Sequence, residues 1–255
     1  MTKVSHPKYL IKKYNKKAGR DKTGRISIRH RGGGAKRLLR VISTLDQYPN
    51  QEAKVISIDY DPNRSADIAL LQLASGKKIY IVAPDGLKKD QMLLAGQKAS
   101  LSTGNRMQIK NIPSGLPIYD LEIIPGSRAK LVRSAGNRAL ILAKEEGTSY
   151  IQVKLPSGEI RRFHENCYAT LGTVSNPKHF ARRISKAGII RHMGKRPTVR
   201  GKAMHPAAHP HGGGEGVNPI GLKYPKTPWG HIARGHKTRK PKASDRFIIK
   251  RRSNG

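Results

Sequence analysis

Cysteine is almost missing from this chain: Cys167 is the one thiol in 255 residues. That excludes a disulfide framework, and also a structural zinc site built from several thiolates. Aromatics are scarce, with three Phe and one Trp, and the hydrophobic fraction is 36%. A core can form at that composition, but not one spanning the whole chain. No apolar run approaches the length of a membrane span. The first residues lack the apolar centre of a signal peptide, and they are rich in Lys instead of the Arg and Ser of a transit peptide. The expectation is a soluble intracellular protein, in which Asn63-Arg-Ser65 matches a glycosylation sequon by chance. Acids are also few. Sixteen Asp plus Glu face 51 Lys plus Arg, a formal net charge of +35. Self-repulsion at that level opposes compaction, and a phosphate-rich partner is the natural compensator.

The charge is unevenly placed, and its placement suggests boundaries. Residues 1–40 carry 14 Lys plus Arg and one acid, Asp21; residues 181–255 carry 19 and two acids, Glu215 and Asp245. The stretch between them is close to balanced. Two cationic extensions, 1–40 and 181–255, therefore flank a central part that is expected to divide near residue 105 into 41–105 and 106–180. Such ends suit a protein that threads into nucleic acid.

The central part reads as β. Alternating or continuous apolar runs at 54–60, 68–73 and 78–83 are separated by Asp61-Pro-Asn-Arg64, Ser75-Gly76 and Pro84-Asp-Gly86. A second set is expected at 119–124, 130–132, 139–143, 150–155, 159–163 and 168–172, with Leu155-Pro-Ser-Gly-Glu159 as a tight hairpin connection. Short strands at this spacing suggest two small β-barrels in tandem, because closure removes exposed edges. Beyond residue 180 regular structure should thin out. The end, Asp245-Arg-Phe-Ile-Ile-Lys-Arg-Arg252, reads either as a short strand or as an extended basic tail.

The cationic ends hold the candidate binding residues. Arg25-Ile-Ser-Ile-Arg-His30 is a short alternating piece that breaks into Arg31-Gly-Gly-Gly-Ala-Lys-Arg37, with Arg40 close behind. Gly32, Gly33 and Gly34 let the main chain approach a surface closely, and the cations on both sides (Arg25, Arg29, His30, Arg31, Lys36, Arg37) favour an anion there. The segment from Arg196 to Gly216 has neither a helical nor a strand period. It mixes Arg196, Arg200, His209 and His211 with the run Gly212, Gly213 and Gly214, and it should take its shape from RNA. Lys186 and Lys195 extend the cationic set. Trp229 reads as a stacking platform or as the plug of a satellite core, and Arg64 as a turn cation or a phosphate contact.

Enzyme readings fare poorly. Gly19-Arg-Asp-Lys-Thr-Gly-Arg25 has Arg-Ile where a phosphate loop needs Lys-Ser/Thr. Gly212-Gly-Gly-Glu-Gly216 lacks the serine of a nucleophile elbow, and no helix start follows it. His205, His209 and His211 have neither Cys nor Asp nearby to complete a metal site. No resident metal or cofactor is expected, only Mg or K ions held by RNA. A free nucleic-acid chaperone, indifferent among structured RNAs, is a further alternative.

Several motifs fall in a recognisable order: Arg29-His-Arg-Gly-Gly-Gly34, Tyr60-Asp-Pro-Asn-Arg-Ser-Ala66, Leu155-Pro-Ser-Gly-Glu159, Gly194-Lys-Arg-Pro-Thr-Val-Arg-Gly201 and His209-Pro-His-Gly-Gly-Gly-Glu-Gly216. In these the chain resembles the large-subunit ribosomal protein L-two family of bacterial type, from about residue 19 to the end. The resemblance implies an oligonucleotide-binding-type barrel followed by an SH3-like barrel, with long irregular basic extensions. It also implies binding of large-subunit ribosomal RNA near the peptidyl transferase centre, with roles in assembly, subunit association and tRNA placement. The implied partners are ribosomal RNA, other ribosomal proteins, small-subunit RNA at a bridge and tRNA, with no membrane and no homo-oligomer. The implied location is a cytoplasmic or organellar ribosome. The chain departs from the family pattern at Ala208, where Asp is usual, at His205, where Asn is usual, and at His192, where Trp is usual. The N-terminal extension is shorter than usual. Without the Asp, a carboxylate-oriented base at His209 loses its nearest support, so His209 is expected to be structural and RNA-contacting.

Overall fold

The structure is a computed structural model that describes residues 7–235 and 237–252. The chain divides into two units, which are taken separately. The first comprises 7–15, 36–183 and 243–252; the second comprises 16–35 and 184–242.

The first unit is β-rich. Strand β1 (Ile11–Lys13) pairs antiparallel with β2 (Leu38–Arg40). Then come β3 (Ala53–Asp59), β4 (Ile68–Leu73), β5 (Lys78–Val82) and β6 (Met92–Leu93), in the antiparallel order β5-β4-β3-β6. The period of two explains why β4 is buried almost throughout. Ala69, Leu71 and Leu73 face one cluster with Val55, Ile79 and Ile81, while Ile68 and Leu70 face another with Tyr80 and Leu10. A strand covered on both faces reads as a continuous apolar run, as 68–73 does.

The second sheet contains β7 (Arg106–Gln108), β8 (Pro117–Tyr119), β11 (Ala139–Lys144), β12 (Tyr150–Lys154), β13 (Ile160–His164), β14 (Tyr168–Leu171) and β15 (Ile248–Lys250); β9 (Leu121–Glu122) and β10 (Ala129–Leu131) form a separate two-stranded ribbon. The seven-stranded order is β15-β13-β12-β11-β8-β14-β7. Ile118, Ile141, Ile151, Val153, Phe163, Cys167 and Leu171 build its core. The hairpin at 155–159 closes by Leu155 N–H to Glu159 C=O at 2.9 Å, with Gly158 at φ 83°. The molecule is thus mainly β, as expected from the alternating runs, and its strands form a four-stranded sheet, a seven-stranded sheet and two two-stranded ribbons.

Three stretches that the pattern left coarse are decided by the structure. The strand read at 119–124 is interrupted, because Asp120 sits at φ 51° between β8 and β9. Its buried carboxylate lies between two guanidiniums: Arg106 Nη1 at 3.8 Å and Arg133 Nε at 2.8 Å, the latter an ion pair off the line of a hydrogen bond. An electrostatic requirement overrides the strand pattern there. The alternating piece at 25–30 makes no strand, only the bridge Arg20↔Ile26. The tail resolves in favour of the strand, with Ile248 and Lys250 paired to β13.

Among its described residues the second unit has little regular structure: helix α1 (Ala187–His192) and one 3-10 turn, Gly201–Ala203. Among its described residues His209 alone is buried. Backbone hydrogen bonds, not a hydrophobic core, define its path.

Candidate nucleic-acid interface

Residues 30–35 and 192–196 form an irregular antiparallel zipper in the second unit. Arg31 and Lys195 are bridged; Gly32 N–H donates to Gly194 C=O at 3.0 Å, Ala35 N–H to His192 C=O at 2.9 Å, and Arg196 N–H to His30 C=O at 3.0 Å. Gly34 is required here. It stands at φ +82°, and a Cβ would lie 2.7 Å from the His192 carbonyl oxygen. Lys16 Nζ donates to the carbonyls of Gly33, Gly34 and Ala35 at 3.2, 2.8 and 2.7 Å. Arg31, Lys195 and Arg196 are exposed, so the zipper gathers three cations from chain segments some 160 residues apart.

The glycine runs split into two roles. Gly34 and Gly212 are filled by the protein itself; a Cβ on Gly212 would lie 2.5 Å from the His205 carbonyl oxygen. Gly33 faces open space at φ +64°, and Gly214 meets only the Asn218 side chain. The reading of glycine as close approach to an external surface therefore fits Gly33 and Gly214. At Gly34 and Gly212 the close approach is chain on chain.

His209 lies against Gly201, where a Cβ would come within 2.5 Å of the ring. Its Nδ1 accepts the His211 N–H at 3.0 Å, so the ring proton belongs on Nε2. The His211 ring is 4.7 Å away, and its Nε2 accepts the Lys226 N–H at 2.8 Å. The two imidazoles thus fasten the loops 201–211 and 225–226 together. Trp229 is 71% exposed, with the Arg29 guanidinium 5.8 Å from its ring centre. It plugs no satellite core, and it leaves an aromatic face open beside a cation.

The remaining expected residues distribute as follows. Arg25 donates its N–H to Asp21 Oδ1 at 3.0 Å, in a turn where the Thr23 hydroxyl, foremost, and backbone N–H groups hold the Asp21 carboxyl below its usual value. His30 sits at φ 59° at the zipper's entry. Lys186 and Arg200 are exposed and precede α1 and the 201–203 turn, and Gly213 is exposed. Lys36, Arg37, Arg40 and Arg64 belong to the β-rich unit. There Arg64 Nε pairs with the buried Asp61 Oδ2 at 2.7 Å, and Arg40 Nη1 lies 3.9 Å from Asp61 Oδ1. Asp61 also accepts the Asn63 N–H at 3.0 Å, which fixes the turn that presents Arg64. Sequence reasoning missed Lys16. Its carbonyl partners are 17 to 19 residues away, so no local pattern signals them.

Comparison with known families gives two matches. Residues 7–95 match the family model described as Ribosomal Proteins L2, RNA binding N-terminal domain. Residues 102–230, half of the chain, match Ribosomal Proteins L2, C-terminal domain.

Proposed function

The chain belongs to the ribosomal protein L2 family, RNA-binding constituents of the large ribosomal subunit, and from that premise we propose that its cationic unit lies on large-subunit ribosomal RNA near the peptidyl transferase centre. One observation carries the reading. The unit of 16–35 and 184–242 holds 20 Lys plus Arg against two acids, Asp21 and Glu215, and among its described residues one is buried. A segment so charged and so poor in core needs an external anion to fix its shape.

In this reading Arg31, Lys195, Arg196 and Arg200 neutralise phosphates, Gly33 and Gly214 admit close backbone approach, and Trp229 stacks on an exposed base. Arg64 and Arg40 extend the contact along the β-rich unit. The protein acts as one copy within a cytoplasmic or organellar ribosome, beside other ribosomal proteins. It supports assembly, subunit association through small-subunit RNA, and tRNA placement. His209 serves by fastening the loops, not by chemistry.

The test is incorporation into large subunits. The variant with Arg31, Lys195 and Arg196 all replaced by Gln should be lost from sedimenting subunits in moderate salt, whereas the parent chain is retained. Equal retention of the two would defeat the reading. In reconstituted, normally assembled particles, His209→Ala should leave peptide-bond formation intact; its loss there would establish a catalytic role.

A further inference from the structure

A second site lies within the β-rich unit, where the C-terminal segment pairs with β13. Three rings meet there. Tyr150 lies 5.9 Å from His164, edge to face, and 6.0 Å from Phe247, tilted by 44°. They line a cavity of about 350 Å³ together with Ile124, 64% exposed. The size is at the lower end of ligand pockets, which run from about 300 to 1,000 Å³. The lining is also cationic: Arg161 and Arg246 contribute to it, and the Arg246 guanidinium lies 4.8 Å from the Phe247 ring centre. Arg162 is engaged by Glu145 at 2.9 Å, but Arg161 and Arg246 have no carboxylate partner among the described residues, and no Asp or Glu lines the cavity.

We propose that this cavity takes one unstacked base of a single-stranded RNA segment. The base would lie among Tyr150, His164 and Phe247, with its flanking phosphates on Arg161 and Arg246. The inference rests on the reading that the chain binds RNA, and adds a base-binding site outside the cationic unit. The charge decides between occupants. An apolar peptide side chain would use the aromatic wall but would leave two guanidiniums without an anion, whereas a nucleotide supplies a π-face and a phosphate together. The C-terminal strand β15 gives the site its rigidity, because its pairing with β13 fixes the approach of Phe247.

The test uses the full chain and a short oligouridine carrying one photoreactive halouridine, with the adduct located by mass spectrometry. The expected adduct is on Tyr150, His164 or Phe247. Ile124→Glu, which alters an exposed wall residue, should lower that adduct about tenfold or more with an unchanged circular dichroism spectrum. Arg161→Gln should lower it in low salt and less so in high salt. An adduct confined to 16–35 or 184–242, or one undiminished in Ile124→Glu, overturns the base site while leaving RNA binding in place. Absence of any binding to the oligouridine or to ribosomal RNA defeats the RNA reading itself, and this inference with it.

Discussion

Arg106 is the residue on which the β-rich unit turns. It is 1% exposed, although arginine is a residue type seldom fully buried. Its Nε donates to Asp46 Oδ1 at 2.6 Å and its Nη1 to the Asp120 carbonyl at 2.6 Å, so one guanidinium ties the turn before β3 to the break between β8 and β9. Removing one partner of a buried pair strands the other charge. Arg106→Met should therefore lower the unfolding free energy of the RNA-free chain by about 3–5 kcal/mol, measured by urea titration. A loss under ~1 kcal/mol, the level of a surface pair, would contradict that assignment. Cys167 illustrates the opposite case, a polar group with no task. Burial first, and Glu122 second, push its thiol up to about 12 from 9.0. A raised pKa means that this group contributes stability below 9.0 and loses it as pH climbs toward about 12. At neutral pH the native chain should resist a thiol reagent that labels it quickly in denaturant. Rapid native labelling would show Cys167 to be accessible.

Among the elements, the zipper between 30–35 and 192–196 is the most exacting. Gly34→Ala would meet a carbonyl oxygen at 2.7 Å in a left-handed backbone. Strain of about 1–3 kcal/mol follows, and RNA binding should weaken about tenfold, since 1.4 kcal/mol is a factor of ten. Gly24→Ala shares a positive φ but has open space around it, and should do less. Equal effects would mean that backbone strain, not the zipper, sets the cost. The β elements were legible because period-two burial is a local signal: 68–73 and 150–155 appear in the pattern nearly as they fold. The zipper was not legible. Its hydrogen bonds join glycine-rich segments that carry no hydrophobic period, and Lys16 meets its carbonyls through three-dimensional folding alone. The break at Asp120 was likewise hidden, because its cause lies in guanidiniums from β7 and from residue 133. The list of candidate cations was legible from composition, but the gathering of Arg31, Lys195 and Arg196 at one zipper was not, since the charge map treats the two ends as separate.

At the scale of the whole molecule, a β-rich unit with four buried clusters adjoins in sequence a unit whose described residues bury only His209. The first supplies its own cohesion; the second carries repulsion that only counter-charge relieves. Binding should therefore weaken steeply with salt. The logarithmic slope should scale as about 0.9 or 0.7 per phosphate neutralised, the values for duplex DNA and single strands. A slope near zero would remove phosphate contact as the driving term. Hydrogen exchange on the full chain, free and bound to ribosomal RNA, tests the central claim most directly. In the free chain, amides of 16–35 and 184–242 should exchange near unfolded rates while β4, β5, β12 and β13 stay protected, and RNA should slow the former selectively. Strong protection of those two segments in the RNA-free chain would contradict the account.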